Sequence, residues 1–492
     1  MSRPRLYALI LLLFAASVAR AQALGYADAR HLLARTGFGA TDEEVRAFAS
    51  LTRAQAVDRL LEGTRREAVT PAPAFVADAI VPYRKVREMS AEERTAFRRA
   101  QFEQGLELRA WWIGEMASSP SPLTERMTLF WHNHFATSQR KVRYSQLMYR
   151  QNVLLRREAL GNFAQLLHGI ARDPAMLVWL DNARSRREAP NENFAREVME
   201  LFTLGEGHYG EQDVKEAARA FTGWSLEPAS ATFTYRRAWH DGGVKHVLGR
   251  EGPLDGDAVL DVLLARPETA RFIARKLWLE FVSPAPDAAD VERWAGVFRD
   301  ARYEVKPLMR AVLLSKAFWA AENRGTLTRS PVDFVVGTLH TFSIRPADLR
   351  PAAVAAALLG QNLFSPPNVK GWPGGDAWID SATLLGRRQF VERVFRGAGG
   401  SMMKARAVAP AQDAPAKGAN AKGEGARLRG ILERGFGAYA FDAGAWQGPL
   451  DEGSVRHLDA LVLAVPPVVV PSAASGFERL QALVADPAYQ LR

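Results

Sequence analysis

Three groups of residues in this chain have the types and spacing to do chemistry. The first lies in PNENFAREVMELFTLG, residues 190–205. Read as a helix, Phe194, Val198, Leu201 and Phe202 follow the i, i+4, i+7, i+8 spacing of a buried stripe. At about 100° per residue, Asn193, Glu197 and Glu200 then fall within about 60° of one another beside that stripe. Two carboxylates one turn apart can hold a cation or share a proton, the requirement of acid–base work. The alternative is a solvated face on which Arg196 bridges Glu192 and Glu200 at i±4 spacing. Gly205 stops the helix. His208 follows in the loop Gly207-His208-Tyr209, as a base, a ligand or a turn hydrogen-bonder. The next helix, Asp213 to Phe221, ends in Thr222-Gly223-Trp224.

The second group is histidine-rich. In Trp131-His132-Asn133-His134-Phe135, helical geometry points His132 and His134 about 200° apart, so they cannot chelate one ion together. One should face inward and one outward. Trp239-His240-Asp241-Gly242-Gly243, with Lys245 and His246, gathers imidazole, carboxylate and amine around a glycine turn. Neither site has the H-E-x-x-H spacing of a zincin. The third group is the loop Asn362 to Asp380, NLFSPPNVKGWPGGDAWID, restricted by proline and opened by glycine. It carries Asn368 and presents Trp372 and Trp378, on whose indoles a sugar ring could stack. The alternative is a rigid loop whose tryptophans cover the core. No G-x-S-x-G elbow, Walker loop or dinucleotide fingerprint is present, which removes support for serine-hydrolase, phosphoryl-transfer and NAD readings.

The elements that must position these residues are helical. Thr41 with Glu44 and Ser90 with Glu93 are capping boxes, and Asp173-Pro174 is a helix start with proline in the first turn. Helical runs cover 258–281, 288–299, 305–320 and 330–342. Strand signals are scarce: 232–247 reads as a small hairpin turning at Asp241-Gly242-Gly243, and Val468 to Val470 as a short extended piece. The predicted fold is mostly α, a multi-helical body with long ordered loops and at most a small β-hairpin. It divides into a leader at 1–21, a main domain at 22–396, a low-complexity insertion at 397–425 and a C-terminal segment at 426–492. The final helix of that segment should dock on the main domain.

Composition sets the compartment. Arg3 and Arg5 precede an apolar run from Leu6 to Val18 and then Ala19-Arg20-Ala21. That is the pattern of a Sec-type signal peptide cleaved after Ala21, and the run is short of the roughly 20 residues of a membrane span. The mature chain is expected to be periplasmic or secreted, with no transmembrane anchor. It has no cysteine, which excludes disulfides, thiolate metal sites and a cysteine nucleophile. The net charge of +10 is partly concentrated in Arg140, Lys141, Arg143, Arg150, Arg156 and Arg157. An exported basic chain points to anionic polymers or lipid head groups rather than nucleic acid.

Taken together, HLLARTGFG, LFWHNHFATS, DPAMLVWLDN, PNENFAREVMELFTLGEGHYGEQDVKEAARAFTGW, HDGGVKHVLG, ARFIARKLWLEFV and NLFSPPNVKGWPGG resemble the domain-of-unknown-function 1800 family of exported bacterial proteins. The resemblance implies a largely helical, exported protein. It also implies a companion of the domain-of-unknown-function 1501 family, similar to sulfatases, and it transfers no activity. The leading expectation is a protein that acts on or holds an envelope or extracellular polymer, a glycan, in a polar, tryptophan-edged cleft. Glu197 and Glu200 would be the acid–base pair, with His134 or His240 as imidazole partner. Asn193, Trp224, Asp241, Lys245, Asn368 and Trp372 would bind substrate. The alternatives are a non-catalytic scaffold for the sulfatase-like companion and a histidine–carboxylate protein binding a divalent metal.

Overall fold

Side chains that cap helices stand where the helices begin. Thr41 and Glu44 exchange side-chain and amide hydrogen bonds, and Ser90 with Glu93 does the same at the start of the 28-residue helix Ala91–Ser118. Each box satisfies amide donors that a helix start leaves bare. Asp173 caps Pro174–Trp179, whose first-turn proline has no N–H to waste. The computed structural model describes residues 22–396, 419–444, 446, 455–471 and 476–492. Over these residues the chain is mostly helical, and its sheets are two antiparallel pairs of strands. None of the described helices is long and apolar enough to cross a membrane. The leader expected at 1–21 and residues 397–418 lie outside the described residues. The helix Ala419–Gly435 begins inside the stretch read as an insertion.

The strands pair differently from the expected hairpin at 232–247. Strand β1 (Trp224–Leu226) pairs with β2 (Phe233–Tyr235), and β3 (Lys245–Val247) pairs with β4 (Arg250–Gly252). The reversal between β3 and β4 falls on Leu248 and Gly249, both at positive φ. Asp241-Gly242-Gly243 turns the chain between the two pairs instead. Val468 to Val470 form no strand.

The region that carries the site hangs on a buried carboxylate. Glu125 accepts from Trp112 Nε1 at 2.9 Å and from Arg156 at 2.6 and 2.9 Å. This ties together the helices Ala91–Ser118, Pro122–His134 and Ser145–Arg157. Removing one partner of such a pair strands a charge in the core and costs about 3–5 kcal/mol. Arg156→Ala is therefore expected to lower the thermal unfolding temperature sharply, and Glu125→Leu with Arg156→Met much less. Equal losses in a melting experiment would show that packing rather than the stranded charge decides the outcome.

Arg35, in HLLARTGFG, is sealed in the core and donates to Val282 O at 3.0 Å, Phe281 O at 3.3 Å and Asn323 O at 2.7 Å. It thereby caps the C-terminal end of the helix Pro267–Phe281, where the helix dipole favours a cation. Gly39 follows at φ +83°, and a side chain there would strike Thr341 Oγ1. The helix Gly476–Ala485 packs on Ser381–Phe395. Beyond it, Gln490 and Arg492 bond to the backbone of Arg329 and Leu327.

Candidate functional site

The segment 190–205 is not one α-helix. Glu192–Glu197 is α-helical, and Val198–Thr203 is wound as a π-helix. Thr203 Oγ1 donates to Val198 O at 2.8 Å and the Leu204 amide to Met199 O at 2.7 Å, which stabilises the wider turn. Such turns inside helices occur frequently at functional sites. Phe194, Val198 and Phe202 are buried as expected, and Glu197 and Glu200 are half-buried at the edge of the core.

The two glutamates sit in unlike surroundings. Burial and the neighbouring charge of Glu200 push the Glu197 carboxyl above its ordinary value. Glu200 accepts a hydrogen bond from the Tyr209 hydroxyl at 2.6 Å, and the Lys370 ammonium stands 3.9 Å away. Gly205 and Gly207, at φ +82° and +85°, reverse the chain so that Tyr209 folds back onto Glu200. Arg196 does not bridge Glu192 and Glu200; it forks onto Glu211 at 2.8 Å through both nitrogens. His208 is exposed.

Lys370 is held by the 362–372 loop. Asn368 Oδ1 accepts from the Lys370 amide at 2.9 Å, and Asn133 Oδ1 accepts from the Trp372 amide at 2.7 Å. Gly371, at φ +82°, lies against Asn133 so closely that a Cβ would meet Asn133 Oδ1 at 2.3 Å. Asn193 and Asn368 are exposed. Asn191, which caps the first turn, donates through Nδ2 to Leu180 O at 2.6 Å. Lys141 bridges Trp179 O at 2.7 Å and Asp181 at 2.6 Å. The polar residues of the three segments thus join the glutamate stripe to the turn at Asp181. Sequence reading missed Tyr209 and Lys370 as partners of Glu200. The only signal was the two-glycine reversal before the first and the glycine after the second.

His134 does not join this pair. Both His132 and His134 are buried, because the 362–372 loop covers the side expected to face solvent. His132 Nε2 accepts from the Phe364 amide at 3.1 Å, and burial pushes its imidazole down to about 3. His134 Nδ1 faces Lys276 Nζ at 3.0 Å, so its other nitrogen, Nε2, carries the hydrogen and donates to Phe202 O at 3.2 Å. Burial and the Lys276 charge hold His134 well below its usual value, while burial lowers Lys276 to about 8. His134 is a strut between three elements. The charged neighbours of Glu197 are Glu200, Lys370 and Arg196.

Nor does the His240 group converge on the glutamates. His240 Nδ1 donates to Thr222 O at 3.0 Å. Asp241 takes both ends of the Arg219 guanidinium, at 2.7 and 3.2 Å, and this pairing holds it near 2. Lys245 is fully buried and donates to Asp241 O at 2.6 Å and Gly243 O at 3.0 Å. These residues build the turn at the end of the helix Glu211–Ala220. Neither expected tryptophan platform is open. Trp224 is 3% exposed beneath Phe221, Phe233 and Arg172, and Trp372 is 5% exposed against the His132 ring. The apolar demand of a helical core took both indoles. Among the described residues no group of three or more His, Asp or Glu side chains is placed to hold a metal ion.

What remains is a carboxyl whose hold on its proton is raised by burial and a like charge, beside a carboxyl that accepts from a phenol and stands 3.9 Å from an ammonium that itself donates to Glu206 at 3.3 Å. This is the pairing that acid–base chemistry uses. A hollow lined by Arg393, Arg396, Glu433 and Gly437 shares no residue with it. No curated protein and no solved structure matches the chain. A family model described as "protein of unknown function (DUF1800)" matches residues 31–487. That span includes every residue of the glutamate site, and the chain belongs to the DUF1800 family.

Proposed function

We propose that this protein is an exported acid–base enzyme that cleaves a polysaccharide of the envelope or extracellular matrix. Glu197 is the proton donor and Glu200 the base. The observation that carries this reading is the unlike setting of two carboxyls three residues apart, Glu197 at the end of the α-helix and Glu200 in the π-turn that follows. In hydrolysis, Glu197 protonates the glycosidic oxygen as its bond to the sugar carbon breaks. Glu200 takes a proton from the water whose oxygen adds to that carbon. Tyr209 holds Glu200 in place with Lys370 3.9 Å away, and Asn193, four residues before Glu197, and Asn368, two residues before Lys370, are exposed amides that offer hydrogen bonds to hydroxyls. The enclosed indoles of Trp224 and Trp372 contribute no stacking, so the polysaccharide assignment rests on these polar groups. Export rests on the charge and apolar pattern of residues 1–21.

The test is incubation of the full chain with a panel of neutral and acidic polysaccharides, reading new reducing ends and unsaturated products. Turnover that Glu200→Gln reduces about 10²-fold or more is expected, the scale of a lost acid–base group. Full turnover in Glu200→Gln would overturn the assignment. The scaffold alternative has one observation in its favour: Val468, Val469 and Val470 stand 69, 70 and 78% exposed. Turnover by the chain alone sets that alternative aside.

A further inference from the structure

Three stretches of chain, 139–150, 181–190 and 225–239, carry nine lysines and arginines against three acids, Asp181, Glu188 and Glu227. That surplus of six is more than half of the chain's formal +10. The fold lays the three stretches side by side. Lys141 bonds to Trp179 O and Asp181, Ser225 Oγ donates to Ala183 O at 2.8 Å, and Arg150 Nη1 donates to Ser230 O at 3.3 Å. The Arg187 amide donates to Trp239 O at 2.8 Å. Trp239 is held between two guanidiniums, Arg186 at 4.4 Å and Arg236 at 5.0 Å from its ring centre.

Folding also sorts the charges that composition lumps together. Arg156 and Arg157 leave the basic set, the first buried on Glu125 and the second paired with Glu158. Arg140, Arg143, Arg150, Arg184, Arg186 and Arg237 are exposed, and among the described residues none of them forms a salt bridge, although Arg186 lies close enough to Glu188 for its charge to lower that carboxyl. Like charges at this density repel one another, a cost that an anionic partner relieves. Guanidiniums present planar forks that match carboxylate and sulfate groups. The strip is poor in apolar side chains: Tyr235 is the only large hydrophobic on the three stretches that stands exposed. A lipid surface would want more. One end of the strip runs into Asn191 and the helix that carries Glu197, through the Asn191 amide donating to Ser185 Oγ at 3.1 Å.

We infer that this strip binds an acidic polysaccharide, a polymer bearing carboxylate or sulfate groups, and leads it toward the glutamate pair. The inference names the substrate class for the acid–base reading and rests on it only for what happens after binding.

The experiment measures binding of the full chain to polygalacturonate, to neutral dextran and to anionic phosphatidylglycerol vesicles, at low and at raised salt. Polygalacturonate should bind, dextran should not, and salt should weaken binding, since exposed charges are screened within about 10 Å at 0.1 M ionic strength. Arg140→Glu with Arg184→Glu and Arg237→Glu should weaken binding tenfold or more. The same charge change at exposed Arg99, Arg275 and Lys306 should weaken it far less. Equal losses in the two triple variants, or binding to the vesicles and not to polygalacturonate, would overturn the inference. Glu197→Gln should bind as the native chain does. Binding without turnover therefore fails the acid–base reading alone, and turnover of neutral polymers without polyanion binding fails the strip alone.

Discussion

Glu197→Gln is expected to fold normally and to lose about 10²- to 10⁴-fold in turnover, the range for removal of a general acid. Glutamine keeps the shape of the side chain and takes away its proton. The native pH profile carries a second signature. Burial and Glu200 raise the Glu197 carboxyl, so the donor keeps its proton to higher pH than an ordinary glutamic acid, and activity falls as pH rises through that raised value. In Glu200→Gln the like charge is gone, and what activity remains should fall at lower pH. Stability gives the opposite sign from activity. A carboxyl whose folded pKa is raised weakens the fold as pH climbs past its unfolded value, because folding then opposes ionisation. Glu197→Gln should therefore melt at the same temperature as the native chain or higher near neutral pH. A variant that melts lower would mark Glu197 as a structural residue.

The second large effect is unfolding in mild acid. His31, His132 and His134 are buried, and burial pushes the first two down to about 3 and the third well below its ordinary value. Each bonds to backbone: His31 Nε2 to Phe318 O at 2.9 Å, His132 Nε2 to the Phe364 amide, His134 Nε2 to Phe202 O. In the unfolded chain they take up protons near 6.5. Their contribution is complete above that value and is lost as pH falls below it. Each loses about 1.4 kcal/mol per pH unit, so two units below that value the three together remove about 8 kcal/mol. That equals much of the roughly 5–15 kcal/mol by which folded proteins exceed their unfolded states. His340, raised by its contact with Glu44 at 2.9 Å, opposes the trend, as do the Asp173 carboxyl, which burial raises to about 7, and Glu197, so the net loss is smaller than the histidines alone give. Circular dichroism during acid titration should show cooperative unfolding near pH 4–5 by this reckoning. His132→Gln, which still offers an acceptor to the Phe364 amide, should move the midpoint lower. A fold that survives to pH 3 would contradict the account.

Much of this was legible in the residues themselves. Capping pairs and first-turn prolines marked helix starts because they act over three or four residues, within reach of the pattern. The paired glutamates were legible for the same reason, although the π-turn was not. The i, i+4, i+8 spacing of Phe194, Val198 and Phe202 suits either winding, and the Thr203 hydroxyl that favours the wider one looks ordinary in sequence. Burial was the harder quantity. Trp224, Trp372 and His134 look like binding residues until distant segments meet them: Trp372 lies against His132, more than 200 residues away, and Phe202 and Lys276 enclose His134. Tyr209 and Lys370 became partners of Glu200 only through a reversal and a long-range loop contact, which no local periodicity encodes.

The central claim is that Glu197 and Glu200 occupy different electrostatic settings on one turn. It is tested most directly by carbon NMR titration of the Glu197 side-chain carboxyl, in the native chain and in Glu200→Gln. The Glu197 midpoint should lie above the ordinary 4.5 in the native chain and move back toward it when Glu200 is neutralised. A midpoint at or below 4.5 that Glu200→Gln leaves unmoved would show two independent surface glutamates, and the acid–base site would fall with it.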